Sequence, residues 1–336
     1  VSSLADILLN VENLVKYFPV KSNFLQQLFT KDKKFVHAVD DISFTIRKGE
    51  TLGLVGESGS GKTTTGRLVL RLEEATSGKI KMGNTDILAL KPEKLRLFRR
   101  HMQLIFQDPM ASLNPYMKVG EAIRHPLSIH KIGKNRREQK QIVMDMLETV
   151  NLKPAEDFYN RFPKALSGGQ RQRIVIARAL VTRPEFVVAD EAVAMLDVSV
   201  RSQLLQLMAD LKEKFNLTYL FITHDLATTK YVCDRIAVMY LGQIVEIGSF
   251  EDIYTRPAHP YTQALISAVP EPDPDQEKNR DLPEGEVPNA ITPPTGCRFH
   301  PRCKYAFKRC REEQPERYMV AGDHGASCFL LENKEK

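Results

Sequence analysis

Gly56-Glu57-Ser58-Gly59-Ser60-Gly61-Lys62-Thr63 is the stretch on which the fold of this chain turns. It fits G-x-x-x-x-G-K-[ST] and lies where that pattern has meaning, after a short apolar strand at 51–55 and before helical spacing over 62–72. Glycines let backbone N–H groups curl around phosphates, and the start of the helix adds partial positive charge. Lys62 would reach the β- and γ-phosphates, the Thr63 hydroxyl would ligate Mg²⁺, and Thr64 completes the nucleotide-contacting set. The bland alternative is a chance Gly/Ser-rich turn, and the flanking elements argue against it.

Further along, apolar residues 186–189 end in Asp190-Glu191, so a buried strand delivers two carboxylates to the edge where open α/β sheets bind ligands. Asp190 is expected to hold Mg²⁺ through water and Glu191 to polarise the attacking water. The structural alternative is that the two acids merely cap a helix. Other apolar strands fit 98–106 and 218–223, helices fit 170–180 and 199–215, and residues 116–160 have the spacing of a helical insertion, as in Ile142, Met146, Leu147 and Val150. Residues 7–18 and 35–46 read as strands of a small sheet, joined by a lysine-bearing loop at 19–34. Alternating helices and apolar strands predict a parallel sheet covered on both faces. The Pro- and acid-rich stretch between Val269 and Pro294 reads as an extended linker.

With 336 residues, 42% apolar and 27% charged, the composition is that of a globular protein of several subdomains, which excludes disordered, collagen-like and disulfide-stapled classes. No run approaches the roughly 18 uncharged apolar residues of a membrane span, and residues 1–10 lack a basic flank followed by an apolar run, so a cytosolic location is expected. The net charge of +6 is spread apart from clusters at 31–34, 91–100 and 131–137, and nucleic-acid binding is not expected.

Three more motifs stand in order with these: Gln107 within Ile105-Phe106-Gln107-Asp108-Pro109, Leu166-Ser167-Gly168-Gly169-Gln170, and His224 within Thr223-His224-Asp225. Singly each has a plain reading, a turn before a helix or a hydrogen-bonded side chain at a strand end. Jointly they make the sequence resemble the ATP-binding-cassette ATPases. That resemblance implies an α/β fold: a P-loop NTPase cassette with a RecA-like core, an antiparallel β subdomain, a helical subdomain and a small Cys-rich C-terminal module. The implied division is 1–107 for the β subdomain and first part of the core, 108–165 for the helical subdomain, 166–250 for the rest of the core, and 251–336 for the C-terminal extension. Ser167 and the amides of Gly168 and Gly169, with Gln170, form a second phosphate cradle at a helix start. Since one chain already has such a cradle at Gly56 to Thr63, the second should serve ATP held by a partner subunit. Asp197 would lie at the same seam. The resemblance further implies that His224 contacts the γ-phosphate, that Gln107 senses Mg²⁺ and water, and that Phe18 or Tyr17 stacks on the adenine, although an aromatic at a strand end is as readily core. After Asp190-Glu191 the family usually continues with a Pro and a Ser, where this chain reads Ala192-Val193-Ala194-Met195-Leu196-Asp197, which puts communication between sites in doubt more than hydrolysis.

Ser112-Leu113-Asn114-Pro115, Tyr240-Leu241-Gly242 and Gly296-Cys297-Arg298-Phe299-His300-Pro301-Arg302-Cys303 narrow the resemblance to ATPase subunits of oligopeptide/dipeptide importers, nearer the second ATPase of the pair. The implied partners are a homologous ATPase subunit, two transmembrane permease subunits and, indirectly, an extracytoplasmic solute-binding protein. The implied place is peripheral, at the cytoplasmic face of the membrane. Importers of oligosaccharides or other solutes, a soluble non-transport cassette ATPase and a non-hydrolysing nucleotide binder are the rival readings.

Four of the five cysteines, Cys297, Cys303, Cys310 and Cys328, cluster near the end with spacing C-x5-C-x6-C-x17-C. In a reducing compartment this suggests a metal centre, either a [4Fe–4S] cluster, which the loose spacing favours, or structural Zn²⁺, with unligated thiols as the remaining alternative. Arg298, Arg302, Lys304, Lys308, Arg309 and Arg311 are expected to offset the negative charge of such a centre and to lower the thiol pKa values. His300 is a spare ligand candidate, with a plain loop role as the alternative.

Overall fold

The computed structural model describes residues 7–20, 34–269 and 285–334. Most of the lysine-bearing loop and of the Pro-rich linker lies outside the described residues. The chain divides into two compact units, one of Val1–Leu8, Ile46–Thr51 and Ala89–Ile222, the other of Leu9–Thr45, Leu52–Leu88 and Thr223–Lys336.

In the first unit, strands Met102–Ile105, Phe186–Asp190 and Thr218–Thr223 pair in parallel, with Ile105 opposite Ala189 and Asp190 opposite Ile222. Every residue of the last two strands is buried, the continuous apolar pattern of strands covered on both faces. The run at 98–106 is only partly strand. Phe98 closes a helix, Pro92–Phe98, whose first-turn proline needs no hydrogen-bond partner for its nitrogen, and the strand begins at Met102. The helical insertion consists of Val119–Ile129, Arg136–Thr149 and Ala155–Tyr159. Asn135 caps the second of these by accepting from the Glu138 N–H at 3.0 Å. A Cβ at Gly120 would run into the Tyr159 ring, so the approach of the first and third helices requires glycine there.

In the second unit a four-stranded sheet runs Phe35–Arg47, Ile7–Pro19, Ser77–Met82, Thr85–Asp86, and Ile7–Pro19 pairs antiparallel with Ser77–Met82. Strand Thr51–Val55 pairs in parallel with Arg235–Tyr240. Beyond it, Gln243–Ser249, His324–Ala326 and Tyr318–Ala321 continue the sheet antiparallel, so the expected all-parallel arrangement is mixed. The reversal is made by Leu241-Gly242, with φ of +45° and +86°, between the paired residues Tyr240 and Gln243. Positive φ at both central residues is the requirement of a tight hairpin that follows strand twist. Among the described residues no helix is long and apolar enough to cross a membrane.

Candidate functional site

In the second unit, strand Thr51–Val55 feeds directly into the glycine-rich loop. Gly61, with φ of +104°, starts helix Lys62–Val69, and a Cβ there would collide with the Ala38 carbonyl oxygen. No side chain caps this helix, which leaves its first-turn N–H groups for an anion. Lys62 is 5% exposed and curls back over the loop, its Nζ donating to the carbonyls of Gly56 at 2.7 Å and Glu57 at 2.8 Å. Ser58 and Gly59 are exposed, Ser60 is buried, and Thr63 and Thr64 are half-buried in the first turn. Glu57 is held at both ends. Its N–H donates to the Tyr261 hydroxyl at 2.9 Å, and its carboxylate accepts from both terminal nitrogens of Arg302, at 2.8 and 3.2 Å.

Tyr17 and Phe18 are both half-buried. The Tyr17 hydroxyl donates to the Asp40 carboxylate, and burial followed by that carboxylate pushes the phenol up to about 12. Its ring leans on His37 with centroids 4.2 Å apart, while the Lys16 ammonium sits 4.6 Å over Phe18. His224 is exposed and follows strand Thr218–Thr223, and the next residue, Asp225, caps a short helix by accepting from the Ala227 N–H at 2.9 Å.

In the first unit, Asp190 ends its strand 8% exposed. Glu191 follows with φ of +46°, a conformation rare for a residue with a side chain, and its N–H donates to the Ile222 carbonyl at 3.0 Å. The structure brings Gln107 to it: Gln107 Nε2 donates to Glu191 Oε2 at 2.7 Å. The helix-cap reading of Asp190-Glu191 fails, because the next helix, Val198–Phe215, has Asp197 at its N-cap. Ser167 and Gln170 form a reciprocal cap at the start of helix Gly168–Leu180, with Oγ accepting from the Gln170 N–H and Gln170 Oε1 accepting from the Ser167 N–H at 3.1 Å. Ser167 and Gly168 are exposed. Gly169 is required by packing, since a Cβ there would come within 2.6 Å of a Val200 methyl. In the divergent segment Ala192 and Val193 are buried, while Met195 is 64% exposed.

The ABC transporter family matches residues 39–194, and the C-terminal region of oligopeptide/dipeptide transporters matches residues 245–310. A putative peptide import ATP-binding protein of Brucella ovis is 47% identical over 322 residues, covering 96% of this chain and 97% of its own. The chain belongs to the ATP-binding proteins of ABC transporters. The oligopeptide transport ATP-binding protein AppF of Bacillus subtilis is 44% identical over 97% of this chain and 98% of its own. Among solved structures, the ATP-binding cassette MJ0796, a dimer in a post-hydrolysis state bound to ADP and Pi, superposes with a TM-score of 0.62 at 27% identity, covering 72% of this chain and 98% of that one. This ABC protein therefore has the cassette fold of a P-loop NTPase and is an ATPase.

The C-terminal cysteines of this ABC ATPase depart from expectation. Cys297, Cys303, Cys310 and Cys328 line one recess with His259, Phe299, His300 and Phe329. Among the described residues no group of three or more His, Cys, Asp or Glu is placed to hold a single metal ion. Three of the thiols are raised, the opposite of the expected lowering. Burial pushes Cys297 up to about 12 and Cys328 up to about 11, and it raises Cys303 as well. Of the six flanking cations, three arginines are engaged elsewhere: Arg298 donates to Asp40 and to the Leu241 carbonyl, Arg302 to Glu57, and Arg309 to Glu313 at 2.7 Å and Glu332 at 2.6 Å, while Lys304 opposes the rise at Cys303. His300 Nδ1 lies 2.9 Å from the Cys297 carbonyl oxygen, as a loop residue would. Tyr261 and Asp40 go unrecognised in the sequence, and Arg298 and Arg302 are assigned there to the thiols, because nothing local ties any of them to the phosphate loop.

Proposed function

We propose that this ABC ATPase energises peptide import by closing with a second cassette around ATP. The cargo follows from the relatives, named for peptide and oligopeptide transport, and from the matched C-terminal region. The observation that carries the two-cassette reading is the exposed, capped helix start at Ser167 and Gly168. It is a second anion-binding terminus in a chain whose first one is the glycine-rich loop. In this reading the loop residues, Lys62 and Thr63 hold the phosphates, with Thr63, Gln107 and Asp190 serving Mg²⁺, which would offset charge on the transferred phosphoryl group. Glu191 takes the proton of the attacking water, Gln107 orients Glu191, His224 contacts the γ-phosphate, and Tyr17 or Phe18 stacks on adenine. ATP bridges the cassettes, and hydrolysis removes the bridging charge and lets them part.

Residues 108–165 would form the subdomain that docks on two permease subunits at the inner face of the membrane, beside a homologous ATPase, with 1–107, 166–250 and 251–336 as the other divisions. ATP-driven uptake by the assembled transporter tests the mechanism: Lys62→Ala and Ser167→Arg should each abolish it, and transport that persists in either overturns the reading.

For the four cysteines we propose a [4Fe–4S] cluster. The support is their shared recess together with the loose C-x5-C-x6-C-x17-C spacing of the sequence. Assembly would displace the protons that burial favours on Cys297, Cys303 and Cys328. Iron and sulfide should be found at about four each per chain in anaerobically purified protein, and their absence rejects the cluster.

A further inference from the structure

The segment between Cys297 and Cys303 is built onto the phosphate loop. Arg302, its side chain 8% exposed, makes a two-pronged ion pair with Glu57, and its guanidinium lies 5.9 Å from the Tyr240 ring centre. Phe299 packs edge-on against Tyr240 at 5.3 Å and tilted against Tyr261 at 5.4 Å, and the Tyr261 hydroxyl accepts from the Glu57 N–H. Arg298 reaches the same loop from the other side. It donates to the Leu241 carbonyl, and the adjoining Gly242 N–H donates to the Ser60 carbonyl at 2.9 Å. The Glu57 that Arg302 grips is the residue whose carbonyl accepts from Lys62 Nζ at 2.8 Å.

We propose that Arg302 is a positioning residue for ATP: by clamping Glu57 it holds the phosphate loop in its binding shape, so that the C-terminal segment forms part of the nucleotide site. Two physical effects act together. A loop already ordered loses less conformational freedom when the triphosphate arrives. A carboxylate paired with a guanidinium also repels the phosphates less than a free one. Arg302 touches no phosphate in this scheme, and it acts through Glu57.

The inference rests on nucleotide binding at Gly56 to Thr63, and Lys62→Ala is the control that separates the two. Fluorescent trinitrophenyl-ATP is titrated into the full-length chain, and circular dichroism and the thermal midpoint are followed in parallel. Arg302→Ala should weaken binding about tenfold, the loss of one partly buried charged pair. Arg302→Lys, which keeps the charge but not the fork, should recover part of that loss. Combining Arg302→Ala with Glu57→Gln should weaken binding no further than Arg302→Ala alone, because each change removes the same contact. In steady-state hydrolysis by the assembled transporter, Arg302→Ala should raise KM for ATP and leave kcat within about twofold, as expected when binding alone is lost. Should Arg302→Ala fail to fold, the Arg302→Lys and Glu57→Gln cycle is read the same way. Affinity within twofold of the unaltered chain in the Arg302 variants, or losses that multiply in the double variant, overturns the proposal. No effect of Lys62→Ala would instead overturn the loop as the nucleotide site.

Discussion

Gln107 Nε2 donates to Glu191 Oε2 across 2.7 Å, tying a residue two positions beyond strand Met102–Ile105 to the carboxylate after strand Phe186–Asp190. The neighbouring strands run parallel, so their C-terminal ends deliver both side chains to one edge. Glu191 adopts φ of +46°, and a side chain held in that sparsely populated region is fixed by its surroundings. As the proposed general base, Glu191 should be sensitive both to its own chemistry and to its orientation. Glu191→Gln is expected to lower kcat of the assembled transporter by about a hundredfold or more while ATP affinity stays within about twofold. Gln107→Ala, which removes this hydrogen bond but spares the carboxylate, should cost about tenfold in kcat. Phosphate release and equilibrium nucleotide binding check both.

Ser167 is the N-cap of helix Gly168–Leu180 and is exposed, and in the proposed two-cassette reading it would have a second, separable role toward a partner's phosphate. Ser167→Arg loses both, whereas Ser167→Asp keeps an N-cap acceptor and brings a negative charge toward the phosphate. If the cap were all that mattered, the Asp variant would retain activity. Both variants are expected to lower ATPase of the assembled transporter by about a hundredfold, while the isolated chain binds ATP within about twofold of the unaltered protein. Size-exclusion of the Glu191→Gln background with ATP should show a dimer that either Ser167 change abolishes.

His259 is 1% exposed and N-caps helix Pro260–Ser267 with Nδ1, which accepts from the Tyr261 N–H at 3.0 Å. Burial pulls its pKa down from 6.5 to about 4, against the opposing pull of Glu246, whose carboxylate accepts from the His259 and Ala258 N–H groups and lies 2.7 Å from His324 Nε2. The folded state therefore resists a proton that the unfolded chain takes up readily below pH 6.5. Stability is full above that value and falls as the pH drops toward 4. Between pH 7 and pH 5 the loss attributable to His259 should be about 2 kcal/mol. His259→Asn, which retains a capping acceptor but does not titrate, should flatten that part of the denaturation midpoint's pH profile.

What the sequence made legible was local. The glycine-rich loop, the buried strand ending in Asp190 and the helix start after Ser167 are each decided by residues within a few positions of one another, where periodicity and turn chemistry act. The mixed sheet was missed because its antiparallel side depends on the Leu241-Gly242 turn and on strands as short as His324–Ala326, too brief for an alternation signal. The arginines were misread for another reason. Arg302 and Glu57 are 245 positions apart and Arg298 and Asp40 are 258 apart, so proximity in sequence assigned their charge to the neighbouring thiols while the fold assigned it to distant carboxylates.

Gly59 and Gly61 separate two costs that sequence patterns treat alike. Both have positive φ, +78° and +104°. Around a Cβ at Gly59 there is nothing within 4 Å, whereas one at Gly61 would strike the Ala38 carbonyl oxygen and approach Met239 Cε at 2.8 Å. Gly59→Ala should therefore carry only the backbone cost of a left-handed residue, about 1 kcal/mol, and leave a chain that still binds ATP. Gly61→Ala adds a collision with backbone atoms that cannot swing aside as a side chain can. Its relief must move the loop or the strand bearing Ala38, at the point where helix Lys62–Val69 begins. It is expected to cost about 3 kcal/mol, the upper end for overpacking, and to remove nucleotide binding. Chemical denaturation and ATP titration of the two variants side by side measure the difference, and equal effects at the two positions would mean that backbone conformation, and not the contact with Ala38, sets the requirement for glycine.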